Sequence, residues 1–263
     1  MATNAGPFGV LLDIDGVLYV GDEPIDGAHQ ALARLRGLSS GLRLLTNTTS
    51  RSRRAVFEHL CELGFEVRLE EVLTPAALAV RYCEEHAYGS VALLVSDSLR
   101  EDLGALGERP RAGHVDAVIL GDLGSGFTAQ ALNDAFRLLM DGAQLIALQH
   151  NRYWRRADGL ALDVGSYAAA LEYACGREAV VIGKPAAAFF SSALADMALE
   201  RGVMIGDDIE ADVAGAIASG LFGVLVRTGK YREEALAGSP TQPTVVADSI
   251  SDVPDLLPGL FAA

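Results

Sequence analysis

The stretch GVLLDIDGVLYVGDEP, residues 9 to 24, decides the reading of the whole chain. Val10, Leu11 and Leu12 form an unbroken apolar run, which is the pattern of a strand covered on both faces of a parallel sheet. Two carboxylates, Asp13 and Asp15, end that run, and Gly16 follows as a turn signal. Ligands of open α/β sheets bind outside the carboxyl ends of the strands. The two acids therefore stand where such a site is expected.

Working outward, strand-like runs alternate with helical periodicity, which predicts a doubly wound, Rossmann-like parallel sheet. Strands are expected at 8–13 and 42–46, with helices at 27–38 and 52–63 and a further segment at 67–74. After Pro75 a helix reaching residue 86 leads into a second set of strands at 91–95, 117–121 and 144–148, with a helix at 128–140. A strand at 179–183, a helix at 186–201, a strand at 203–207, a helix at 211–219 and a strand at 222–227 resume the first rhythm. Two domains are expected: a core of residues 1–77 and 181–263, and an α/β cap of residues 78–180 inserted into it.

Composition narrows the partners. Among 263 residues, 35 acidic against 21 basic side chains give a formal charge of −14, and no basic surface suited to nucleic acid stands out. The densest basic run, Arg51, Arg53 and Arg54, opens a predicted helix and reads as a solvated face. Cys61, Cys83 and Cys175 have no paired spacing, which suits a reducing cytosol rather than a zinc site or a disulfide framework. The first residues lack the pattern of a signal peptide, and no apolar run approaches membrane-spanning length. A soluble, cytoplasmic protein with no membrane partner is the expectation.

Four places at predicted strand ends carry reactive groups: Asp13 with Asp15, Thr46 with Asn47, Lys184, and Asp207 with Asp208. Each alone has an ordinary reading as a turn, a helix cap or an exposed charge. Gathered at one sheet edge, the carboxylates would repel one another unless a cation joined them. Mg²⁺ suits such a site, because it takes oxygen ligands and uses one or two carboxylates together with substrate phosphate oxygens. Phosphoryl chemistry follows naturally: one carboxylate attacks phosphorus, and a second carries the proton.

The order D-x-D-G-V at 13 to 17, T-N at 46 to 47, K-P at 184 to 185 and G-D-D-x-x-x-D at 206 to 212 resembles the haloacid dehalogenase-like hydrolases. The resemblance implies that Asp13 is the nucleophile and Asp15 the general acid and base. It implies that Thr46, Asn47 and Lys184 bind the phosphoryl group. It also implies that Asp13, the Asp15 backbone carbonyl and Asp207 hold Mg²⁺, while Asp208 or Asp212 orders that shell, with Asp212 preferred. The form D-I-D-G-V resembles the phosphatases of the superfamily rather than its dehalogenases or transport ATPases.

The long interval between Asn47 and Lys184 is similar to the type II cap. Within that subgroup, G-V-L-Y at 16 to 19, N-R-Y-W-R at 151 to 155, D-G-L-A-L-D at 158 to 163 and G-K-P at 183 to 185 resemble the phospholysine phosphohistidine inorganic pyrophosphate phosphatase branch. The substrate class so implied is a small phosphorylated molecule: pyrophosphate, a phosphoamide or a phosphomonoester. This cap type resembles those that form homodimers. His150, Asn151, Arg152 and Tyr153 are candidate cap contacts to substrate, the alternative being that Tyr153 and Trp154 pack and the arginines are solvated. Thr48, Thr49 and Ser50 are candidates on the core side. The glycine cluster at 121–126 reads as a turn, because it lacks the helix spacing of a phosphate loop. Transfer of the phosphoryl group to a sugar, or ligand binding without catalysis, are the competing functions.

Overall fold

The computed structural model describes residues 6–107, 114–156 and 159–261. Asp158 of the D-G-L-A-L-D stretch and the first five residues lie outside the described residues. The chain begins with β1 (Gly9–Asp13), β2 (Tyr19–Val20), β3 (Glu23–Pro24), α1 (Ala28–Leu38), β4 (Gly41–Leu45), α2 (Arg53–Glu62) and β5 (Val72–Leu73). It continues through α3 (Pro75–Glu85), β6 (Val91–Leu94), α4 (Asp97–Leu103), β7 (Ala117–Leu120), α5 (Ala129–Met140), β8 (Gln144–Ala147), β9 (Tyr153–Arg156), β10 (Gly159–Leu162), α6 (Val164–Cys175) and β11 (Val180–Val181). The last part holds α7 (Ala187–Ala195), β12 (Gly202–Gly206), α8 (Gly215–Ala218), β13 (Phe222–Val226), α9 (Glu233–Gly238), β14 (Val245–Ala247) and α10 (Val253–Phe261).

These elements form two compact units. The first comprises the described residues up to Thr46, Val56–Leu73, and those from Lys184 onward. Its six-stranded parallel sheet runs in the order β14-β13-β12-β1-β4-β5. The chain winds from β1 toward β4 and β5, then returns to the other side of β1 for β12, β13 and β14. That reversal makes the carboxyl ends of β1 and β12 the switch point at which open α/β sheets open a crevice. Register sharpens the placement, since Leu12 pairs with Ile205 and Asp13 with Leu45, so Asp13, Thr46 and Asp207 all leave the sheet at nearly one level.

Every residue of β1 and β12 is buried, as a sheet covered on both faces requires. Val10, Leu12, Leu44, Ile205 and Val224 pack toward Leu32 and Leu35 of α1 and Leu257 and Phe261 of α10. Leu11 and Met204 alternate to the opposite face and are also fully buried. Each such side chain contributes about 1.5–3 kcal/mol relative to exposure, which holds the strand ends rigidly in place.

The second unit comprises the described residues of Asn47–Ala55 and Thr74–Gly183. Its parallel sheet has the order β11-β8-β7-β6, and β9 pairs antiparallel with β10. Thr74 and Thr128 start α3 and α5, their hydroxyls accepting from the backbone N–H of Ala77 and Ala131. Val118, Leu145 and Ala147 of the sheet pack with Leu138 and Leu139 of α5 and Ala168 and Leu171 of α6.

Several expectations need correction. The strand expected at 179–183 does not resume the first sheet: Val180 and Val181 pair with Ile146 and Ala147 of β8. Backbone N–H groups of Ile182 and Gly183 extend the pairing to Ala147 and Leu148, so the change of unit falls at Lys184 rather than at residue 181. The helix expected at 186–201 ends at Ala195, and Ala198 then takes a positive φ of 54°. In place of a helix at 211–219, residues Ile209–Ala214 form a wide π-type turn followed by the short α8. The hairpin of β9 and β10, the strand β14 and the helix α10 were not anticipated. Among the described residues no helix is long and apolar enough to cross a membrane.

Candidate active site

Asp13, the last residue of β1, is buried, and its Oδ1 accepts from the Lys184 ammonium at 2.5 Å. The same ammonium lies 2.6 Å from Asp212 Oδ1. Asp13, Asp207 and Asp212 each present an oxygen within 4.8 Å of the others. The ammonium thus pairs with two carboxylates, and the third, Asp207, lies beside those two. All four side chains are almost completely buried, with exposures of 1–5%.

Lys184 reaches this cluster by an unexpected route. It does not extend from a strand of the first sheet but opens the segment that enters α7, directly after β11 of the other sheet. Asp212 arrives through the wide turn after β12, in which Asp212 and Val213 both donate to the Asp208 carbonyl. Such turns commonly mark functional positions.

The charge balance is unfavourable as it stands. Burial, reinforced by Asp13 and Asp212, pushes the Asp207 carboxyl up to about 8 against the opposing backbone N–H of Lys230. Burial and Asp13 likewise push Asp212 up to about 7, against the attraction of Lys184. For Lys184, burial works to lower the pKa, but Asp13 and Asp212 outweigh it and raise it. Lys184 pairs with two of the three buried carboxylates, and the Lys230 charge offsets the rise at Asp207 only in part, so the site takes up either protons or a cation.

The Asp207 oxygens are not equivalent. Oδ2 accepts from the Lys230 backbone N–H at 2.7 Å, whereas Oδ1 is buried with no hydrogen-bond partner. Gly16, at φ 87°, sits so close that a Cβ there would lie 1.9 Å from Oδ2. A buried acceptor without a partner, next to two further carboxylates, is what a divalent cation with oxygen ligands requires.

Asp15 lies beyond the strand in a turn closed by Gly16 N–H to the Tyr19 carbonyl, and it is exposed to solvent. Its carboxylate is not part of the buried cluster. Thr46 is buried at the end of β4, with its N–H on the Leu73 carbonyl. Asn47, the next residue, begins the second unit. Asp208 is used differently from Asp212: its Oδ1 accepts from Glu210 and Ala211 N–H and caps the turn. The choice between those two acids is therefore geometric.

In the second unit, Asn151 donates its backbone N–H to Gln149 Oε1, and Gln149 donates to Asp163 Oδ1, both at 2.5 Å. Burial raises the Asp163 pKa, against hydrogen bonds from Val164, Gln149 and Asn151. The Asn151 side chain is thus committed to shaping its own loop. The Arg152 carbonyl accepts from Ser166 Oγ, while its side chain is exposed. His150 lies 3.4 Å from Glu172. Tyr153 and Trp154 are 57% and 43% exposed and do not pack in the core of their unit. Thr49 is buried, and Thr48 and Ser50 share a hydrogen bond. In the Gly121–Gly126 loop Asp122 accepts from Gly124 N–H in a short turn. The Arg54 guanidinium pairs with Glu101 of α4, while Asp102 accepts from the Arg53 backbone N–H, so part of the basic run is paired.

The sequence reading missed the segment Thr228–Gly229–Lys230, whose backbone holds Asp207. The available signal was its position just past a strand, β13, at the same sheet edge.

Comparison with known proteins places the chain in a family. The haloacid dehalogenase-like hydrolase family model matches residues 10–109, and a HAD-hydrolase-like model matches residues 181–253. The chain is 42% identical over 234 residues to haloacid dehalogenase-like hydrolase domain-containing protein 2 of Mus musculus, covering 88% of each chain. It is 40% identical over 261 residues to the phospholysine phosphohistidine inorganic pyrophosphate phosphatase of Bos taurus, covering 96% of this chain and 95% of that one. Among solved structures, the p-nitrophenyl phosphatase of Archaeoglobus fulgidus superimposes with a TM-score of 0.88 at 27% identity, over 95% of this chain and 99% of that one. The glycerol phosphate phosphatase of Mycobacterium tuberculosis in complex with magnesium gives a TM-score of 0.82 at 31% identity, over 92% of this chain and 74% of that one. Its strand-end acids, its inserted second unit and these likenesses together make the chain a member of the haloacid dehalogenase-like hydrolases.

Proposed function

We propose that the protein is a Mg²⁺-dependent phosphatase that hydrolyses a small phosphorylated substrate through an aspartyl-phosphate at Asp13. The observation that carries this reading is the buried cluster of Asp13, Asp207 and Asp212, the first and last of them paired with Lys184, with Asp207 Oδ1 left without a partner. The names of similar proteins, which include pyrophosphate, p-nitrophenyl and glycerol phosphate phosphatases, support a phosphorylated small molecule as substrate.

Asp13 and Asp207, with the Asp15 backbone carbonyl, would hold the cation, and Asp212 would keep its surroundings negative. Mg²⁺ there supplies positive charge to the carboxylates and to the phosphoryl oxygens. Lys184 holds the Asp13 carboxylate in one orientation through the 2.5 Å contact, so an oxygen is presented for attack without rotamer search. Asp13 forms a bond to phosphorus as the bond to the leaving oxygen or nitrogen breaks, and Asp15 gives that leaving atom its proton. Asp15, now a carboxylate, takes a proton from water as the water oxygen attacks phosphorus, and the Asp13–phosphorus bond breaks. Thr46 and Lys184 hydrogen-bond the non-bridging oxygens while their charge rearranges. Exposure of Asp15 fits this double duty, because it must reach both a leaving group and water.

A panel of pyrophosphate, phosphohistidine, phospholysine and simple phosphomonoesters, assayed with Mg²⁺ and with chelator, tests the reading. Hydrolysis of at least one that needs Mg²⁺ and disappears in Asp13→Asn is the expected result. Hydrolysis that survives Asp13→Asn overturns the covalent route.

A further inference from the structure

The sheet order places β12 between β1 and β13, so the loops leaving β1 and β13 flank the residue that leaves β12, which is Asp207. These two loops are joined to each other and to that side chain. Thr228 Oγ1 donates to the Gly16 carbonyl at 2.5 Å, tying the loop after β13 to the loop after β1. Lys230 N–H donates to Asp207 Oδ2 at 2.7 Å. Gly229, at φ 58°, fills the gap: a Cβ there would lie 2.0 Å from Asp207 Oδ2 and 2.5 Å from the Gly16 Cα. Asp207 is thereby boxed in on its Oδ2 side by two glycines and one amide, and only Oδ1 remains uncommitted.

We propose that Thr228, Gly229 and Lys230 are positioning residues, forming a clasp across the end of β12 that immobilises Asp207 and reserves its Oδ1 for a divalent cation. The inference rests on the metal reading above and adds to it three residues outside the four strand-end motifs. A carboxylate fixed before the cation arrives loses little side-chain freedom on binding, and partners of this kind raise metal affinity without touching the metal. The Thr228 hydroxyl contributes by keeping the glycines in contact, and the Lys230 amide by supplying the hydrogen bond. Lys230 also brings a side-chain charge, on which desolvation acts to lower the pKa and Asp13, Asp207 and Asp208 act more strongly to raise it.

The test uses Mn²⁺ as the probe, titrated into the metal-free full-length protein while free Mn²⁺ is read by electron paramagnetic resonance. The variants are Thr228→Val, Thr228→Ser, Gly229→Ala and Asp207→Asn. Thr228→Val, which keeps the shape and removes the donor, is expected to weaken Mn²⁺ binding roughly tenfold, and Thr228→Ser to restore it. Gly229→Ala is expected to approach the loss seen in Asp207→Asn. Binding is compared at a temperature well below the metal-free melting temperature of every variant, which separates cation positioning from general stability. Wild-type binding that Thr228→Val and Thr228→Ser retain equally overturns the clasp even if Gly229→Ala does not fold. Absence of Mn²⁺ binding by the wild type overturns the metal reading itself, a different result from the first.

Discussion

Lys184 Nζ lies 2.5 Å from Asp13 Oδ1, both groups buried, at the carboxyl end of β1. The contact joins residues far apart in the sequence and places a cation beside the proposed nucleophile. Removing one partner of such a buried pair leaves charge uncompensated, and the typical cost is about 3–5 kcal/mol. Lys184→Met is expected to lose stability of about that size in denaturant titrations run with chelator at pH 8. The loss should shrink at pH 5.5, where the neighbouring acids take up protons. Equal stability of variant and wild type at pH 8 would contradict a role for the Lys184 charge in offsetting the buried carboxylates.

The raised pKa values of Asp207 and Asp212 give the metal-free protein a definite pH dependence. Both acids hold protons in the folded state that the unfolded chain releases near its ordinary carboxylate pKa of about 4. Their contribution to stability is complete below that value and is lost as pH rises through about 7 to about 8. In chelator, melting temperature should fall between pH 5 and pH 8.5, and the slope should flatten in Asp207→Asn. Saturating Mg²⁺ should reverse the trend, because the ligands bind it deprotonated and its stabilisation grows with pH. A slope in chelator that Asp207→Asn leaves unchanged would assign the effect elsewhere.

Asp13 and Asp15 are expected to fail in different ways. Asp13→Asn should abolish turnover of every substrate while the protein stays folded by circular dichroism. Asp15→Asn should lower turnover about 10²–10⁴-fold for alkyl phosphates, whose leaving group needs a proton, and much less for p-nitrophenyl phosphate, whose leaving group does not. Rates measured across leaving groups of graded acidity decide the matter: a uniform loss would remove Asp15 as the proton donor.

Asp208 and Asp212, four positions apart, provide an internal control. Asp208→Ala removes a cap on two backbone N–H groups and should cost about 1 kcal/mol of stability with Mg²⁺ affinity little changed. Asp212→Asn should instead weaken Mg²⁺ binding, because it removes a negative charge from the cluster and a partner of Lys184. Calorimetric titration of both variants with Mg²⁺ checks the division, and a reversed pattern would exchange their roles.

Much of the first unit was legible in the chain because its signals are local. An apolar run such as Val10–Leu12 ended by acids reads as a buried strand meeting a ligand crevice whatever lies around it, and alternation with helices then implies a parallel sheet. Other features could not be read this way. Val180 and Val181 suit either sheet, and only the backbone pairing with Ile146 and Ala147 assigns them to the second. The hairpin of β9 and β10 carries Tyr153, Trp154, Leu160 and Leu162 exposed along its strands, so no polar alternation announced it.

The sequence by itself determined the class of fold, the order of strand-end acids, hydroxyl and lysine, and the presence of an inserted unit, because those depend on residue type and spacing along the chain. The tertiary structure decided which acids meet. It turned Asp212 to Lys184 and Asp208 to a cap, and it brought the loop after β13 against Asp207. The physical reason is that a side chain's partner is set by strand pairing and by the few ångströms of clearance at Gly16 and Gly229, both of which are properties of distant segments brought together.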